Sequence, residues 1–319
     1  MQFDALVIGG SFAGLPAATQ IARARRSVCV VDGGAPRNRF AAASHGFFGQ
    51  DGARPQDMIA LARRQLMAYP SVTFKAAQAT QARTVGRAEL SAAPGNGAGA
   101  MSAGTEGGFA VVLDSGETLF ARKLLLATGL RDELPAIDGL PERWGATVLH
   151  CPYCHGYEVG GAPMGTLYAA PTSVHHALLV SDWGPITLFL NGHDAPEPEA
   201  LAQLAAHGIA IEPARVLALE GDAPALSGVR LEDGRTVHIK ALFVPPRTHM
   251  ASPLAEQLGC AFDEGMSGPM IRVDATQQTT VPGVFAAGDA AMPGHNATLA
   301  AANGVMAGVC LHKALVFGT

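Results

Sequence analysis

The chain begins with an apolar run, a glycine-rich turn and an Ala-rich segment, a succession that few folds accommodate. The pattern predicts a strand at residues 3–8, a helix at 15–26 and a second strand at 27–31 that ends at Asp32. The turn between the first strand and the helix is Gly9-Gly10-Ser11-Phe12-Ala13-Gly14. Small residues in such a turn let the backbone approach a pyrophosphate, and an acid after the second strand can bind a ribose hydroxyl. The sequence therefore predicts one βαβ unit of a doubly wound fold with a nucleotide site.

A weaker copy of the same pattern occurs later in the chain. Residues 113–118 leading to 124–129 match residues 231–236 leading to 242–247, and residues 6–32 have a counterpart at 165–191. The length of 319 residues also suggests two domains, at roughly 150 residues each. We therefore expect an α/β protein of two Rossmann-like three-layer domains, with the second inserted into the first. The expected bounds are 1–129 with 248–319 for the first domain and 130–247 for the second.

The two copies differ where nucleotide chemistry would take place. Tyr168-Ala169-Ala170 replace Gly9-Gly10-Ser11, Ser173 replaces Gly14, Asn191 replaces Asp32, and Pro245-Pro246 or Pro246-Arg247 replaces Thr128-Gly129. The tyrosine and Pro171 obstruct backbone approach, and the proline also removes a donor N–H. No basic cluster follows Asn191 to hold a 2′-phosphate. The second copy is predicted to have kept the fold and lost the site, which makes use of NADP(H) doubtful.

A third glycine element lies near the end of the chain and indicates the type of nucleotide. Residues 284–289 predict a strand that ends in Gly288-Asp289, and an Ala-rich helix is predicted at 296–306. In flavoproteins such an aspartate hydrogen-bonds the ribityl chain, and the next helix directs its positive N-terminus at the flavin ring. Together with the first turn, this element predicts FAD as the cofactor.

Composition excludes several other classes of protein. Charged residues make up only 15% of the chain, the net charge is −5, and no block of like charge occurs, so no nucleic-acid or anionic-membrane partner is expected. Uninterrupted apolar runs, such as 123–129 and 174–180, are much shorter than the roughly 20 residues that cross a bilayer. The first residues lack a basic signal-peptide region, so we expect a cytoplasmic protein. The Gly/Ala/Ser-rich stretch between Ala92 and Gly108 predicts a flexible loop tip.

Two of the five cysteines are close in sequence, in the segment Cys151-Pro152-Tyr153-Cys154-His155. Four interpretations compete: a c-type haem attachment site, a structural zinc site, two inert core cysteines and a redox dithiol. Haem attachment requires export, and zinc requires a second ligand pair, which Cys29, Cys260 and Cys310 do not form. No metal site is therefore expected, and these three cysteines are predicted to be packing residues.

A redox dithiol is the favoured interpretation because the chemistry suits the pattern. Two cysteines in C-x-x-C at a helix start lie within disulfide reach, and the helix N-terminus lowers the thiolate pKa. A neighbouring imidazole can accept or return the thiol proton near neutral pH, and either His155 or His150 could serve.

Taken together, the first turn, Asp32, Thr128-Gly129, residues 151–158 and Gly288-Asp289 resemble the low-molecular-weight thioredoxin reductases over the whole chain. Cys-Pro-Tyr-Cys-His-Gly-Tyr-Glu at 151–158, together with Pro-Arg-Asn at 36–38 and His-Gly-Phe at 45–47, is similar to a branch of FAD-dependent dithiol oxidases. That branch closes disulfides in microbial natural products such as gliotoxin, holomycin and romidepsin-type depsipeptides, and the bacterial depsipeptide type is most similar. The reductases carry an Asp in place of His155, an intact second glycine turn and a paired Arg motif for NADPH, and this chain departs from all three.

The resemblance also implies roles for individual residues. By position, Cys154 corresponds to the cysteine that faces the flavin and Cys151 to the one that exchanges with substrate. The residues at flavin-contacting stretches are Gly9, Gly10, Ser11, Phe12, Ala13, Gly14, Asp32, Gly33, Arg37, Asn38, His45, Thr128, Gly129, Gly288, Asp289, Asn296, Ala297 and Thr298. Asn296 stands where the reductases have Gln.

The leading hypothesis is a homodimeric FAD enzyme that oxidises a small-molecule dithiol, of a peptide or depsipeptide natural product, to its intramolecular disulfide. Its catalytic residues would be Cys151, Cys154 and His155, with O2 as acceptor giving hydrogen peroxide. One alternative is a disulfide reductase that takes electrons from NAD(P)H or ferredoxin. Another is a non-catalytic flavin redox sensor.

Overall fold

The computed structural model describes residues 1–94 and 107–318. Most of the predicted loop tip between Ala92 and Gly108 lies outside these residues. The strands, in chain order, are β1 (Gln2–Ile8), β2 (Val28–Asp32), β3 (Val72–Ala76), β4 (Ala79–Val85), β5 (Gly108–Leu113), β6 (Thr118–Leu126), β7 (Leu130–Glu133), β8 (Val148–Leu149), β9 (Met164–Leu167), β10 (Ile186–Phe189), β11 (Ala210–Glu212), β12 (Val216–Glu220), β13 (Gly228–Leu231), β14 (Thr236–Val237), β15 (Ala241–Phe243), β16 (Arg247–Met250), β17 (Phe262–Glu264), β18 (Pro269–Ile271) and β19 (Val284–Ala286). The α-helices are α1 (Gly14–Arg23), α2 (Pro55–Met67), α3 (Arg87–Ala92), α4 (Pro152–Val159), α5 (Thr172–Val180), α6 (Pro198–Ala206), α7 (Leu254–Gln257) and α8 (Ala297–Phe317).

The chain forms two compact units. The first unit comprises Met1–Arg39, Phe47–Arg131 and Thr248–Thr319, and the second comprises Phe40–Gly46 and Asp132–Arg247. Residues 40–46 thus group with the second unit, although they precede most of the first in sequence.

A seven-stranded sheet forms the centre of the first unit, in the order β3-β2-β1-β6-β5-β4 with β19 also beside β6. All residues of β1 are buried, so both faces of the sheet are covered. Because side chains alternate along a strand, Leu6 and Ile8 pack in one core, and Ala5 and Val7 pack in a second core with α1 and α8. This alternation produces the three layers expected for a Rossmann-like unit.

Helix α8 is longer than the sequence pattern predicts, since it continues from the predicted end at residue 306 to Phe317. By length and composition alone it is apolar enough to cross a membrane, which is weak evidence, and 44% of its most apolar window is buried. In the sequence, α8 does not form an uninterrupted apolar run because Asn303, His312 and Lys313 interrupt it. Gly304 and Gly308 of α8 lie directly against the backbone of α1, where a side chain would overlap Ala13 and Ala17. The helix is therefore packed into the core of the first unit.

The second unit contains a five-stranded parallel sheet, in the order β11-β10-β9-β15-β8, and a three-stranded antiparallel sheet, β12-β13-β14. Strand β9, helix α5 and strand β10 repeat the succession of β1, α1 and β2, with Thr166 opposite Leu188 in the parallel register. The predicted α/β fold class is confirmed.

Candidate active site

Three parallel strands of the first unit end side by side. Ile8 at the end of β1 lies opposite Leu126 of β6, which in turn lies opposite Ala286 of β19. The ladder continues one residue further, since the Ala127 N–H donates to the Ile8 carbonyl at 2.8 Å and the Ala287 N–H donates to the Leu126 carbonyl at 3.0 Å. The segments that follow, residues 9–14, 128–129 and 288–289, are thereby brought to one edge of the sheet. We refer to this edge as the nucleotide edge.

The glycines of the first turn are required by close packing. Gly9 has a φ of +109°, and a Cβ there would overlap the Ala127 carbonyl oxygen. A Cβ on Gly14 would overlap the Gly9 carbonyl oxygen, and one on Gly10 would lie 2.8 Å from the Asp32 Cβ. The turn thus draws α1 and Asp32 close to the strand ends, leaving no room for larger residues.

The N-terminus of α1 suits an anionic group. Within the described residues its N-cap position, Ala13, provides no side-chain hydrogen bond to the first N–H groups of the helix. The Leu15 N–H donates to the Ser11 carbonyl at 3.1 Å and Pro16 has no N–H, but the helix N-terminus still carries a partial positive charge that a pyrophosphate complements. The glycine cradle, the uncapped helix and Asp32 together fit the dinucleotide of FAD.

The Gly288-Asp289 element is anchored by partners that sequence inspection missed. Gly288 has a φ of +74°, and its N–H donates to Asn303 Oδ1 at 2.8 Å, while Asn303 Nδ2 donates to Gln277 Oε1 at 2.8 Å. Arg37 Nη1 lies 3.1 Å from Asp289 Oδ2, and both side chains are largely buried. The sequence signal for this network is Asn303, a polar residue in the apolar first half of α8.

The remaining predicted cofactor residues lie in different settings. Asn296 is the N-cap of α8, and its Oδ1 accepts from the N–H groups of Thr298 at 2.8 Å and Leu299 at 3.3 Å. Ala297 and Thr298 are the first two residues of that helix. Ser11, Phe12, Asn38, Thr128 and Gly129 are half-buried, whereas Gly33 is exposed. The amide oxygen of Asn296 therefore serves as the N-cap of α8.

The corresponding turn of the second unit is closed by its own side chain. Ser173 Oγ accepts hydrogen bonds from the N–H groups of Ala169 at 3.0 Å and Ala170 at 3.2 Å, and Ser173 is buried. Asn191, the counterpart of Asp32, accepts the Val216 N–H on its Oδ1 at 3.0 Å. The donors and the polar side chain that a nucleotide would use are occupied by internal bonds.

The predicted dithiol is present as a disulfide. Cys151 and Cys154 are joined, with their Cα atoms 5.3 Å apart, and Cys151 is the N-cap residue of α4. Both cysteines are half-buried. In residues 1–94 and 107–318, no group of three or more His, Cys, Asp or Glu side chains is arranged to hold a metal ion.

Helix α4 packs closely against Trp183 at Gly156. A Cβ on Gly156 would lie 2.8 Å from Nε1 of Trp183, and the ring of Tyr153 meets the same indole edge-on with centroids 5.6 Å apart. Pro152 and Gly156 are buried, whereas Tyr157 and Glu158 are exposed. At about 100° per residue, Cys154, Tyr157 and Glu158 share the outer side of the helix.

Two imidazoles and one carboxylate lie beside the dithiol. His45 Nε2 is 3.3 Å from Glu158 Oε1, so His45, predicted to contact the flavin, is a neighbour of α4 within the second unit. Burial lowers the pKa of His155, while the carboxylate of Glu158 raises it and His45 lowers it further. His150, the other candidate base, stacks on Trp144 with ring centroids 5.7 Å apart.

The other three cysteines are free thiols. Cys29 is fully buried in β2, and burial raises the pKa of its thiol to about 12. Burial also raises the pKa of the Cys260 thiol, and Cys310 is half-buried in α8.

Known proteins share both the fold and the sequence. The model of the pyridine nucleotide-disulphide oxidoreductase family matches residues 3–180 and 186–308. The chain is 31% identical to "Thioredoxin reductase sirT" of Leptosphaeria maculans, over 96% of this chain and 92% of that protein. The solved structure of an oxidoreductase from Agrobacterium tumefaciens is 42% identical with a TM-score of 0.89, covering 100% of both chains. The structure of HlmI is 35% identical with a TM-score of 0.88, covering 99% of this chain and 93% of HlmI.

These similarities confirm the resemblance to the thioredoxin reductases, and with it FAD as the cofactor. The chain belongs to the pyridine nucleotide-disulphide oxidoreductase family and is a thioredoxin reductase-like flavoprotein with thiol-disulfide oxidoreductase chemistry.

Proposed function

We propose that this flavoprotein is a dithiol oxidase, which forms an intramolecular disulfide in a small-molecule dithiol of a peptide or depsipeptide natural product. The observation that carries the proposal is the contrast between the two turns. In the first turn Gly14 has no side chain that could accept the N–H groups of the turn, whereas Ser173 Oγ accepts those of Ala169 and Ala170 in the second. A flavin site combined with an internally bonded turn in the second unit favours thiols over a pyridine nucleotide as the source of electrons.

The residues that would hold FAD all belong to the first unit. The N–H groups of the first turn and of α1 suit the pyrophosphate, Asp32 a ribose hydroxyl, and Asp289 the ribityl chain. Arg37 holds the Asp289 carboxylate in place. Gly33, Asn38, Thr128, Gly129 and the start of α8 complete the proposed set.

The dithiol of the second unit exchanges with substrate. A substrate thiolate attacks Cys151 Sγ, the Cys151–Cys154 bond breaks, and its electron pair leaves on Cys154. The second substrate thiol then attacks the mixed disulfide, which releases the cyclic disulfide product and the Cys151 thiol. Bound FAD supplies a two-electron acceptor for the enzyme dithiol, and O2 is the proposed terminal acceptor, giving hydrogen peroxide. The proposed working assembly is a homodimer.

Anaerobic mixing of the FAD-loaded protein with dithiothreitol tests the proposal. We expect the flavin absorption band to bleach without added NADPH, and NADPH alone to leave it unchanged. Cys154→Ser should abolish the bleaching, whereas Cys310→Ser, a matched change at a free half-buried cysteine, should not. Rapid bleaching by NADPH but none by the dithiol would instead identify a disulfide reductase.

A further inference from the structure

Glu158 lies at the centre of a small group of ionisable residues on the dithiol helix. Its Oε1 is 3.3 Å from His45 Nε2, and it follows Cys154 by four residues and His155 by three. Residues three and four apart on a helix are neighbours on its surface. One carboxylate therefore contacts His45 and lies one helical turn from His155 and Cys154.

The ion pair between Glu158 and His45 contributes little to the stability of the fold. The side chain of Glu158 is 45% exposed and that of His45 is 29% exposed, so the pair is screened by solvent. Pairs of this kind contribute about 0–1 kcal/mol to stability. Helix α4 contains no Lys or Arg that would neutralise Glu158. The position beside the disulfide is the feature that distinguishes this pair from other surface pairs.

The charged groups that shift the proton affinity of His155 are Glu158 and His45. The elements packed against α4 include α5, which carries His175 and His176, and the turn that carries Asp182. The carboxylate of Glu158 is therefore the charge that favours a protonated imidazole at this site.

We propose that Glu158 is a positioning residue for proton transfer at the dithiol: it orients His45 and stabilises the protonated imidazole of His155, which follows Cys154 in the chain. The inference rests on the proposed function for the direction of exchange. It assigns roles in the thiol chemistry both to His45 and to a glutamate outside the C-x-x-C-H segment.

The exchange step conserves protons and electrons. The first substrate thiol gives its proton to the His155 imidazole, and the thiolate bonds to Cys151 Sγ. The electron pair of the broken S–S bond remains on Cys154 as a thiolate, next to the protonated imidazole. The second substrate thiol forms the product S–S bond, and its proton goes to the departing Cys151 sulfur. Two electrons and two protons pass from the substrate to the enzyme.

The variant Glu158→Gln keeps the size and hydrogen-bonding capacity of the side chain and removes its charge. Without the carboxylate the imidazole is a weaker base, so its protonated form persists only at lower pH. We expect the anaerobic rate of enzyme reduction by dithiothreitol to fall about tenfold on the plateau near pH 8, a tuning effect smaller than the loss of a general base. We also expect the acidic limb of the pH–rate profile to move to lower pH.

Controls separate this role from a structural one. Glu199→Gln, a matched change at an exposed glutamate of α6, should leave the rate and the profile unchanged. Glu158→Asp should recover part of the rate. In a His45→Gln background, Glu158→Gln should lower the rate of enzyme reduction by a smaller factor than it does alone, because the two residues act together. Flavin content should be unchanged in every variant.

The outcomes distinguish the two proposals. Wild-type protein that no dithiol reduces would overturn the proposed function. Wild-type protein that is reduced normally, together with a Glu158→Gln profile superimposable on it, would overturn the role of Glu158 alone.

Discussion

Gly14 and Ser173 occupy the same position in the two copies of the βαβ unit, and each decides what its turn can accept. At Gly14 there is no room for a side chain, so the strand end and α1 approach closely. At Ser173 the hydroxyl accepts the two N–H groups that would otherwise be available to a phosphate. This difference adds to those at Tyr168, Pro171 and Asn191 in distinguishing the two turns.

The variant Gly9→Ala tests the first turn. Its Cβ would overlap the Ala127 carbonyl oxygen at a φ that L-residues rarely adopt, so the turn has to move away from the strand end. We expect purified protein with less than about a tenth of the wild-type flavin, a loss of more than 1.4 kcal/mol in binding free energy. The ratio of flavin to protein absorbance measures it.

Gly34→Ala is the matched control for Gly9→Ala. Gly34 also has a positive φ, +76°, but no atom lies within 4 Å of its Cβ position. The backbone strain of about 1–2 kcal/mol is then the only cost. Full flavin content in Gly9→Ala, or equal losses in both variants, would contradict the packing argument.

Among the elements, α8 links the Gly288-Asp289 element to the core of the first unit. Asn296 caps its first turn, Asn303 accepts the Gly288 N–H, and Gly304 packs against α1. The position of Asp289 therefore depends on how α8 begins and how closely it approaches α1.

Substitutions of Asn296 separate its cap from its proposed flavin contact. Asn296→Ala removes the acceptor of two N–H groups and should lower the free energy of unfolding by about 1 kcal/mol. Asn296→Ser keeps a capping oxygen and should retain most of that stability. Denaturant unfolding of the flavin-free protein measures the cap, and flavin titration measures the contact. Flavin affinity that falls in both variants would indicate that the amide itself binds the cofactor, whereas a fall only in Asn296→Ala would assign it to the cap alone.

The parts of the site that the sequence predicts are the contiguous ones. The β1-α1-β2 unit, its copy around α5, and the Cys151–Cys154 pair each depend on residues close in the chain, where spacing and turn chemistry determine geometry. Arg37 with Asp289 are 252 residues apart, and their pairing depends on strands meeting at the nucleotide edge. His45 and Glu158 are also remote in sequence, and their contact within the second unit does not follow from local spacing. The end of α8 was also missed, because polar residues interrupt its apolar pattern without ending the helix.

Over the whole molecule, the two copies of one fold have divided the chemistry between them. The first retains the donors for an anionic cofactor, and the second carries the disulfide and closes its own turn. The five cysteines follow the same division, since two form the reactive disulfide and three are free thiols in the core or in α8.

Differential alkylation of the five cysteines checks this division in the intact holoprotein. At pH 8, a thiol with a pKa of about 12, as burial gives Cys29, is ionised to about one part in ten thousand and lies out of reach. Iodoacetamide should therefore label Cys310 first in the oxidised protein and leave Cys29 and Cys260 unlabelled. Anaerobic reduction with a dithiol should add Cys151 and Cys154 to the labelled set, and only unfolding should add Cys29. Peptide mass spectrometry identifies each labelled site. If Cys29 in the folded protein were labelled as fast as Cys310, the burial of β2 would be contradicted.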